Sequence, residues 1–250
     1  MNSNPYSLDG KRVLITGASS GIGRACAVAA SRLGANLVVT ARRKDALEDT
    51  LSICTGEGHV AIPGDIASPA FIGELVAKGG KIDGLVHAAG VGPMCPVSIQ
   101  TMEQVELVMR TNYMSFLELM KYYSKNRYRN PSLSVVAISS VAAFSGWGGV
   151  SAYSGSKGAL SSGARALAME LVHKGVRINV ICPSNIKTAM YESGSVEMNN
   201  DSSLKELIAK QPLGLGEPEQ VALPVCFLLS DASSFITGVN LPVDGGYLAQ

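Results

Sequence analysis

The sequence contains little charge and few aromatic side chains. Charged residues make up 16% and aromatic residues 6% of the 250 positions, and 21 Lys and Arg residues nearly balance 20 Asp and Glu residues. No segment shows the basic face or aromatic-interleaved patch that grips a phosphate backbone, so nucleic acid is not an expected partner. Hydrophobic residues make up 46% of the chain, and 27 residues are glycine. This composition is typical of a tightly packed globular protein and excludes disorder.

Cysteine and long apolar runs are also scarce. The five cysteines are odd in number and lack a C-x-x-C pair or a histidine at ligand spacing, which excludes a disulfide framework and predicts no metal site. They are Cys26, Cys54, Cys95, Cys182 and Cys226. No apolar stretch reaches the roughly 20 residues of a membrane span, and residues 1–12 lack the apolar core of a signal peptide. We therefore expect a cytoplasmic protein with no membrane partner.

One local basic run lies near the end of a predicted helix. It consists of Lys121, Lys125, Arg127 and Arg129. Cations at a helix C-terminus complement the helix dipole, so a solvated helix end is the favoured interpretation. A docking site for an acidic carrier is the alternative.

The order of predicted elements indicates one domain, residues 1–250, with a doubly wound α/β fold and a mainly parallel sheet. Predicted strands cover 12–16, 36–40, 58–63, 83–88, 133–139, 176–182 and 238–243. Predicted helices cover 22–33, 99–126, 152–174 and 217–229. Pro224 predicts a kink or an early break in the last helix. The polar stretch 184–213 follows a strand end, where such sheets place ligand-binding loops.

A glycine-rich motif connects the first strand to the first helix. TGASSGIG at 16–23 spaces Gly17, Gly21 and Gly23 for a tight turn, close approach to a pyrophosphate and close helix packing. Backbone N–H groups at a helix start attract phosphate. Because a strand precedes the motif and a helix follows it, it predicts dinucleotide binding rather than a chance turn.

The end of the second predicted strand favours NADP(H) over NAD(H). Sites that prefer NAD place an acidic residue about 20 residues after the glycines, to accept hydrogen bonds from the ribose hydroxyls. This chain has Arg42 and Arg43 there, and the first acidic residue after the second predicted strand is Asp45. A guanidinium suits a 2′-phosphate. The alternative is a solvated arginine pair at a helix start.

A second constellation is Tyr153 and Lys157, which are four residues apart and project from the same face of a predicted helix. An ammonium near a phenol favours phenolate, so Tyr153 is a candidate general acid or base with Lys157 as its support. Taken alone, this spacing is common among surface residues.

Together these motifs resemble the short-chain dehydrogenase/reductase family over almost the whole length, most broadly its 3-oxoacyl-(acyl-carrier-protein) reductases. Further matches are Asp65 in GDI, HAAG at 87–90, Asn112 in RTNYMSF, Ser139 and Ser140 in VAISS, INVICPSNIKT at 178–188 and ITGVNLPVDGG at 236–246. The resemblance implies a seven-stranded sheet and a homotetramer or homodimer.

The resemblance also assigns catalytic roles. Tyr153 becomes the general acid or base, and Ser140, thirteen residues upstream, steadies the substrate oxygen. Lys157 holds the nicotinamide ribose and lowers the pKa of the phenol. Asn112 interrupts its helix and holds a water that links Lys157 to solvent, although a helix cap is its alternative role. Ser139 is the rival of Ser140.

Cofactor contacts are implied in the same way. Tyr153 and Lys157 share in them, and the other implied residues are Gly17, Ser19, Ser20, Gly21, Ile22, Gly23, Arg42, Asp65, Ile66, Ala89, Gly90, Pro183, Ile186 and Thr188. Two departures stand near this set. His87 replaces the usual asparagine of N-A-A-G and is a poor candidate for a general base, and Ser184 stands where glycine is more common.

The sequence thus predicts an enzyme that transfers hydride between NADP(H) and a carbonyl or secondary alcohol, with reduction as the favoured direction. A 3-oxoacyl thioester, a steroid-like ketone and a sugar-derived carbonyl stay open as substrates. Candidate apolar pocket residues, for which core packing is the equal alternative, are Met94, Phe144, Trp147, Met190 and Tyr191. A non-catalytic NADPH-binding regulator with the same fold is the competing hypothesis.

Overall fold

The sheet at the centre of the protein has seven strands, all paired in parallel. The computed structural model describes residues 4–188, 191 and 209–250. In chain order the strands are β1 (Arg12–Thr16), β2 (Asn36–Thr40), β3 (Val60–Ala61), β4 (Ile82–His87), β5 (Arg129–Ile138), β6 (Val176–Pro183) and β7 (Asn240–Val243). Their spatial order is β3-β2-β1-β4-β5-β6-β7. The predicted doubly wound α/β fold and its seven strands are confirmed.

Helices cover both faces of the sheet. Among the described residues they are α1 (Gly21–Arg32), α2 (Lys44–Ser52), α3 (Pro69–Gly79), α4 (Met102–Met109), α5 (Ser115–Tyr123), α6 (Ser151–Leu171) and α7 (Pro218–Leu229). Neighbouring residues of one strand therefore enter different cores. Leu14 of β1 packs in the core under α3, α5 and α6, whereas Ile15 packs in the core under α1 and α7. Burial on both faces explains why these strands read as continuous apolar runs.

The order of the strands reverses between β1 and β4. The chain runs from β1 outward to β2 on one side and from β4 outward to β5 on the other. The loops that follow β1 and β4 therefore diverge and leave a crevice at the carboxyl ends of these two strands. Thr16 and His87 end the two strands and are direct register partners. This crevice is the place where an open α/β sheet binds its ligands.

The predicted helix 99–126 is divided in two by a π-turn. α4 ends at Met109, the π-turn covers Arg110–Met114, and α5 begins at Ser115. The backbone N–H of Ser115 donates to Arg110 O, five residues back, rather than four as in an α-helix. The local interruption expected at Asn112 is therefore present.

Two other predicted elements differ in extent. The strand predicted over 58–63 is only Val60–Ala61, at the edge of the sheet beside β2. The early break expected at Pro224 is wrong, since α7 continues to Leu229. Val221 and Val225 on either side of the proline are fully buried against the core. Tertiary packing of α7 thus outweighs the hydrogen bond that Pro224 cannot donate.

The basic run after α5 is only partly solvated. Lys121 is exposed and pairs with Glu118 at 3.1 Å, as expected of a helix end. Arg129, by contrast, is 2% exposed at the start of β5. Its guanidinium donates to Asn126 Oδ1 at 2.8 Å and to Lys174 O at 2.7 Å. Arg129 therefore joins β5 to the turn before β6 and is not a surface cation.

Within the described ranges, no helix has the length and hydropathy needed to cross a membrane. The five cysteines are free thiols. The described residues also contain no group of three His, Cys, Asp or Glu side chains arranged to hold a metal ion.

Candidate active site

A cleft of about 970 Å³ opens at the carboxyl ends of the strands, across the switch between β1 and β4. All the predicted cofactor-contacting residues line it. They are Gly17, Ser19, Ser20, Gly21, Ile22, Gly23, Arg42, Asp65, Ile66, Ala89, Gly90, Tyr153, Lys157, Pro183, Ile186 and Thr188. The fold thus brings motifs from six separate stretches of the chain to one cavity.

The turn between β1 and α1 requires glycine for two different reasons. Gly17 has φ +69°, and a Cβ on it would lie 2.8 Å from the Ala89 backbone. A Cβ on Gly23 would lie 2.3 Å from Gly17 O. Ser20, the N-cap of α1, makes no side-chain capping bond, and the first turn of α1 contains no acidic residue. The start of this helix therefore presents its N–H groups to the cleft, which fits a pyrophosphate.

The far end of the cleft, beyond β2, is basic. Arg42 and Arg43 are exposed and line it, together with Thr40 and the carboxylate of Asp65. The hydroxyl of Thr40 is buried and has no hydrogen-bond partner among the described residues. Asp65 accepts from Ala67 N at 2.9 Å. This end of the cleft offers guanidinium groups where an NAD site offers a carboxylate.

Tyr153 and Lys157 lie on α6 and face the same cleft, as their spacing predicts. Lys157 Nζ is 5.7 Å from the centroid of the Tyr153 ring and donates to Ile138 O at 2.7 Å. Lys157 is 5% exposed, and this burial lowers its pKa to about 8. The ammonium is therefore held by a backbone carbonyl at the end of β5.

Burial and a neighbouring hydroxyl act in opposite directions on the pKa of Tyr153. Burial raises the pKa of the phenol, and a hydrogen bond with the Ser140 hydroxyl partly lowers it. Ser140 therefore favours the phenolate. The lowering by Lys157 that the resemblance implies stays a prediction.

The structure separates the two candidate serines. The Ser139 hydroxyl donates to Lys157 O at 3.0 Å and hydrogen-bonds with Ser161 Oγ at 2.8 Å, so it is engaged behind α6. The Ser140 hydroxyl accepts from Ala142 N at 3.1 Å and lies within reach of Tyr153. Ser140 is therefore the serine placed to contact a substrate oxygen.

Asn112 is fully buried and lies behind the cleft rather than in its lining. Its Oδ1 accepts from Val91 N at 2.8 Å, and its Nδ2 donates to Val91 O at 2.9 Å and to Ser156 Oγ at 2.8 Å. A Cβ on Gly90 would lie 3.3 Å from Asn112 Oδ1 and 3.4 Å from Lys157 Nζ. The Asn112 and Lys157 side chains therefore both approach Gly90. Asn112 is not a helix cap, since Thr101 is the N-cap of α4 and Met114 is the N-cap of α5.

His87 is a buried structural residue. It is 0% exposed, and its ring nitrogens lie 3.2 Å from Thr16 Oγ1 and 3.4 Å from Ser115 Oγ. Burial and the nearby Lys157 lower its pKa to about 3. A neutral imidazole outside the cleft lining is no general base for a substrate.

The apolar end of the cleft contains some of the residues predicted for it. Met94, Trp147 and Tyr191 line the cleft, whereas Phe144 is exposed outside it. Met190 lies outside the described residues. Among the lining residues that were not predicted are Leu107, Val150, Lys210 and Tyr247. They come from remote parts of the chain and carry no motif. Ser184, the second departure, donates to Asp244 O at 2.9 Å and so joins the end of β6 to the end of β7.

Sequence comparison places the chain among proteins of similar length. The family profile described as enoyl-(acyl carrier protein) reductase matches residues 17–248. L-rhamnose 1-dehydrogenase (NAD(P)(+)) of Sphingomonas sp. (strain SKA58) is 32% identical over 248 residues, covering 96% of each chain. L-xylulose reductase of Mus musculus is 31% identical and covers 97% of this chain and 98% of its own. 3-Oxoacyl-(acyl-carrier-protein) reductase of Rickettsia felis is 30% identical, at 96% and 98% coverage.

Solved structures agree. Levodione reductase superposes with a TM-score of 0.88 at 30% identity, covering 96% of this chain and 98% of its own. A protein assigned as an NAD(P)-dependent gluconate 5-dehydrogenase of Beutenbergia cavernae, solved with NADP at low occupancy, superposes with a TM-score of 0.88 at 30% identity and covers 99% and 100%. This chain therefore belongs to the short-chain dehydrogenase/reductase family, whose members bind NAD(P) and act on the CH–OH or C=O groups of small molecules.

Proposed function

We propose that this chain is an NADP(H)-dependent ketone reductase that works as a single catalytic domain, residues 1–250. The observation that carries the proposal is the position of Tyr153. Its phenol is in contact with the Ser140 hydroxyl, one helical turn from Lys157, and it lines the same cleft as the glycine-rich turn. A proton donor, a hydroxyl to hold the substrate oxygen and a dinucleotide cradle therefore share one cavity.

Tyr153 and Ser140 have separate roles in the proposed reaction. A bound nicotinamide supplies or accepts hydride. Tyr153 donates a proton to the substrate oxygen in reduction and removes it in oxidation. The Ser140 hydroxyl donates a hydrogen bond to the same oxygen and stabilises the negative charge that develops there.

Lys157 supports this proton transfer. Its pKa of about 8 is low for a lysine, so it exchanges protons near neutral pH more readily than an exposed ammonium does. Asn112 also approaches Gly90, and we assign to it the role of holding a water that links Lys157 to solvent. Gly90 lines the cleft at the proposed nicotinamide site.

The preference for NADP(H) rests on Arg42. It follows the end of β2, and the neighbouring acid that would read an unphosphorylated ribose is missing from this position. Thr40 contributes a buried hydroxyl without a partner among the described residues, which a ribose or phosphate oxygen would satisfy. The residues at this end of the cleft therefore fit a phosphorylated ribose.

For the substrate we propose a polar ketone of the kind named by the relatives, such as a sugar-derived carbonyl, with a 3-oxoacyl thioester or a steroid-like ketone as the other candidates. The cleft supports the first choice because Lys210, Tyr247 and Asn185 line it beside the apolar residues. We further propose a cytoplasmic homotetramer or homodimer acting in the direction of reduction.

A panel assay tests the proposed activity. NADPH oxidation is followed at 340 nm with L-xylulose, a 3-oxoacyl thioester and a cyclic diketone. We expect turnover of one substrate class by the native protein and a loss of at least about 100-fold in Tyr153→Phe, since general acid–base catalysis contributes about 10²–10⁴-fold. Tyr122→Phe, at a tyrosine outside the cleft lining, is the control. NADPH binding without turnover of any substrate would instead support the regulator.

A second assay tests the cofactor preference. Arg42→Ala is expected to weaken NADPH binding about 10–100-fold and to leave NADH binding within twofold, because only NADPH loses a charged hydrogen bond. Lys44→Ala is the matched control, since Lys44 is an exposed cation two residues away that does not line the cleft. Tighter binding of NADH than of NADPH by the native protein would refute the preference.

A further inference from the structure

Outside the cleft lining, His87 joins two parts of the site through a chain of buried hydrogen bonds. It ends β4, directly opposite Thr16 of β1, which precedes the glycine-rich turn. On its other side it contacts Ser115, the first residue of α5 after the π-turn that contains Asn112. His87 is 0% exposed, so neither nitrogen has water as an alternative partner.

The donors and acceptors of this chain run in one direction. Thr16 Oγ1 accepts from Ala88 N at 3.2 Å and from Ala89 N at 3.1 Å, which uses both its lone pairs. Its single proton is then left for His87 Nδ1, 3.2 Å away. Nδ1 must accept, so the ring proton lies on Nε2 and is donated to Ser115 Oγ at 3.4 Å. Ser115 Oγ in turn donates to Thr111 O at 2.6 Å.

The last bond in the chain compensates for the irregular helix. Thr111 O would accept from Ser115 N in a regular α-helix, but Ser115 N donates to Arg110 O instead. The Ser115 hydroxyl supplies the bond to Thr111 O that its own N–H has given up. Ser115 therefore holds the π-turn from both its backbone and its side chain. His87 holds the Ser115 hydroxyl in the orientation that this requires.

We infer that His87 is a positioning residue for the proposed reaction: as the Nε2–H tautomer it ties the glycine-rich turn, through Thr16, to the π-turn that presents Asn112, through Ser115. This inference rests on the proposed function, because the catalytic role of Asn112 belongs to it. His87 acts through other residues and does not contact the cleft. Burial beside Lys157 lowers the pKa of His87, so the imidazole stays neutral near pH 7 and the series of hydrogen bonds is kept.

Substitution of His87 by asparagine or glutamine tests its contacts with Thr16 and with Ser115 separately. The amide end of Asn reaches the position of His Nδ1, and that of Gln reaches the position of Nε2. His87→Asn therefore keeps the Thr16 contact and loses the Ser115 contact, whereas His87→Gln does the reverse. We expect His87→Asn to lower kcat about threefold to tenfold, the effect of one lost buried hydrogen bond, with KM for NADPH within twofold. His87→Gln should raise KM for NADPH and leave kcat within twofold.

A double-mutant cycle separates positioning from general structural support. If His87 acts through Asn112, then His87→Asn should lower kcat in the native background but not further in Asn112→Ala. Additive losses, or equal kcat in the Asn and Gln variants, would overturn the inference. Ser115→Ala should reproduce the kcat loss of His87→Asn, and an unchanged kcat in that variant would count against it as well.

Two measurements do not depend on turnover or on any variant of His87 being well folded. The sequence has only three histidines, so ¹⁵N-histidine labelling of the native protein identifies the His87 tautomer by NMR. We expect the proton on Nε2, and an Nδ1–H tautomer would refute the proposed series of hydrogen bonds. Deuterium exchange at Val91 N–H, which Asn112 Oδ1 holds at 2.8 Å, should accelerate at least about threefold in Ser115→Ala. Val180 N–H, bonded to Val239 O at 2.9 Å, is the control.

These outcomes distinguish the two proposals. If no substrate is turned over but His87 carries Nε2–H and Val91 exchange accelerates alone, the proposed function fails and the coupling of His87 to Asn112 stands. If turnover depends on Tyr153 while Val91 and Val180 exchange respond equally, the function stands and His87 is only a packing residue.

Discussion

Replacing Lys157 with methionine removes a cation that is 5% exposed and has no carboxylate partner among the described residues. Its environment is the Ile138 carbonyl at 2.7 Å and the buried face of α6. Burial lowers the pKa of Lys157 from the ordinary 10.5 to about 8. Below pH 8 the folded protein must therefore keep a charge that it solvates less well than the unfolded chain does.

The magnitude follows from this difference in pKa. At about 1.4 kcal/mol per pKa unit, the shift corresponds to roughly 3 kcal/mol of lost folding free energy at pH 7, where both states are protonated. As pH rises from 8 to 10.5, the folded state releases its proton first, so the cost falls to about 1 kcal/mol near pH 10. Methionine has no such cost, although it leaves Ile138 O without its donor, which offsets about 1–2 kcal/mol.

The expected result is a variant that is inactive yet at least as stable as the native protein at pH 7. Its advantage should shrink by about 2 kcal/mol between pH 7 and pH 10. Urea unfolding at fixed protein concentration, measured at four pH values for both proteins, gives the difference directly, because other titrating groups cancel. A stability difference that does not change between pH 7 and pH 10 would refute the reasoning.

Two further substitutions test the packing around the site. Gly23→Ala places a Cβ 2.3 Å from Gly17 O and should lower the free energy of unfolding by about 3 kcal/mol or more and abolish NADPH binding, whereas Gly155→Ala, with no heavy atom within 4 Å, should not. Thermal unfolding and a fluorescence titration measure both effects, and intact NADPH binding in the first variant would contradict the role of the turn. Tyr123→Phe removes a buried hydroxyl without a partner among the described residues, so we expect unchanged or up to about 1–2 kcal/mol higher stability, and a loss above 1 kcal/mol would contradict this.

Much of the site was predictable because its motifs are local. The glycine spacing of 17, 21 and 23 directly encodes a strand–turn–helix unit, and the four-residue spacing of Tyr153 and Lys157 directly encodes a shared helix face. Alternating apolar runs and helical stretches similarly encode a parallel sheet covered on both faces. These features depend on neighbours within about one turn or one strand, which the linear order of residues contains.

Other features depend on partners that are far apart in the chain. Arg129 was predicted to be solvated, and it is buried because Lys174 O, 45 residues later, accepts its hydrogen bond. Ser139 and Ser140 are adjacent in sequence, and only packing of the first against Ser161 leaves the second facing Tyr153. The sequence does not show that the Ser140 hydroxyl lowers the pKa of the buried Tyr153 phenol.

By itself, then, the sequence determined the α/β class, the dinucleotide turn and the pairing of Tyr153 with Lys157, since short-range spacing specifies backbone geometry and side-chain direction. The tertiary structure alone decided the desolvation of Lys157, the neutrality of His87 and its bonds to Thr16 and Ser115. Burial and hydrogen-bond direction arise only when β1, β4 and β5 pack against α5 and α6, and these are the quantities that set the protonation of buried groups.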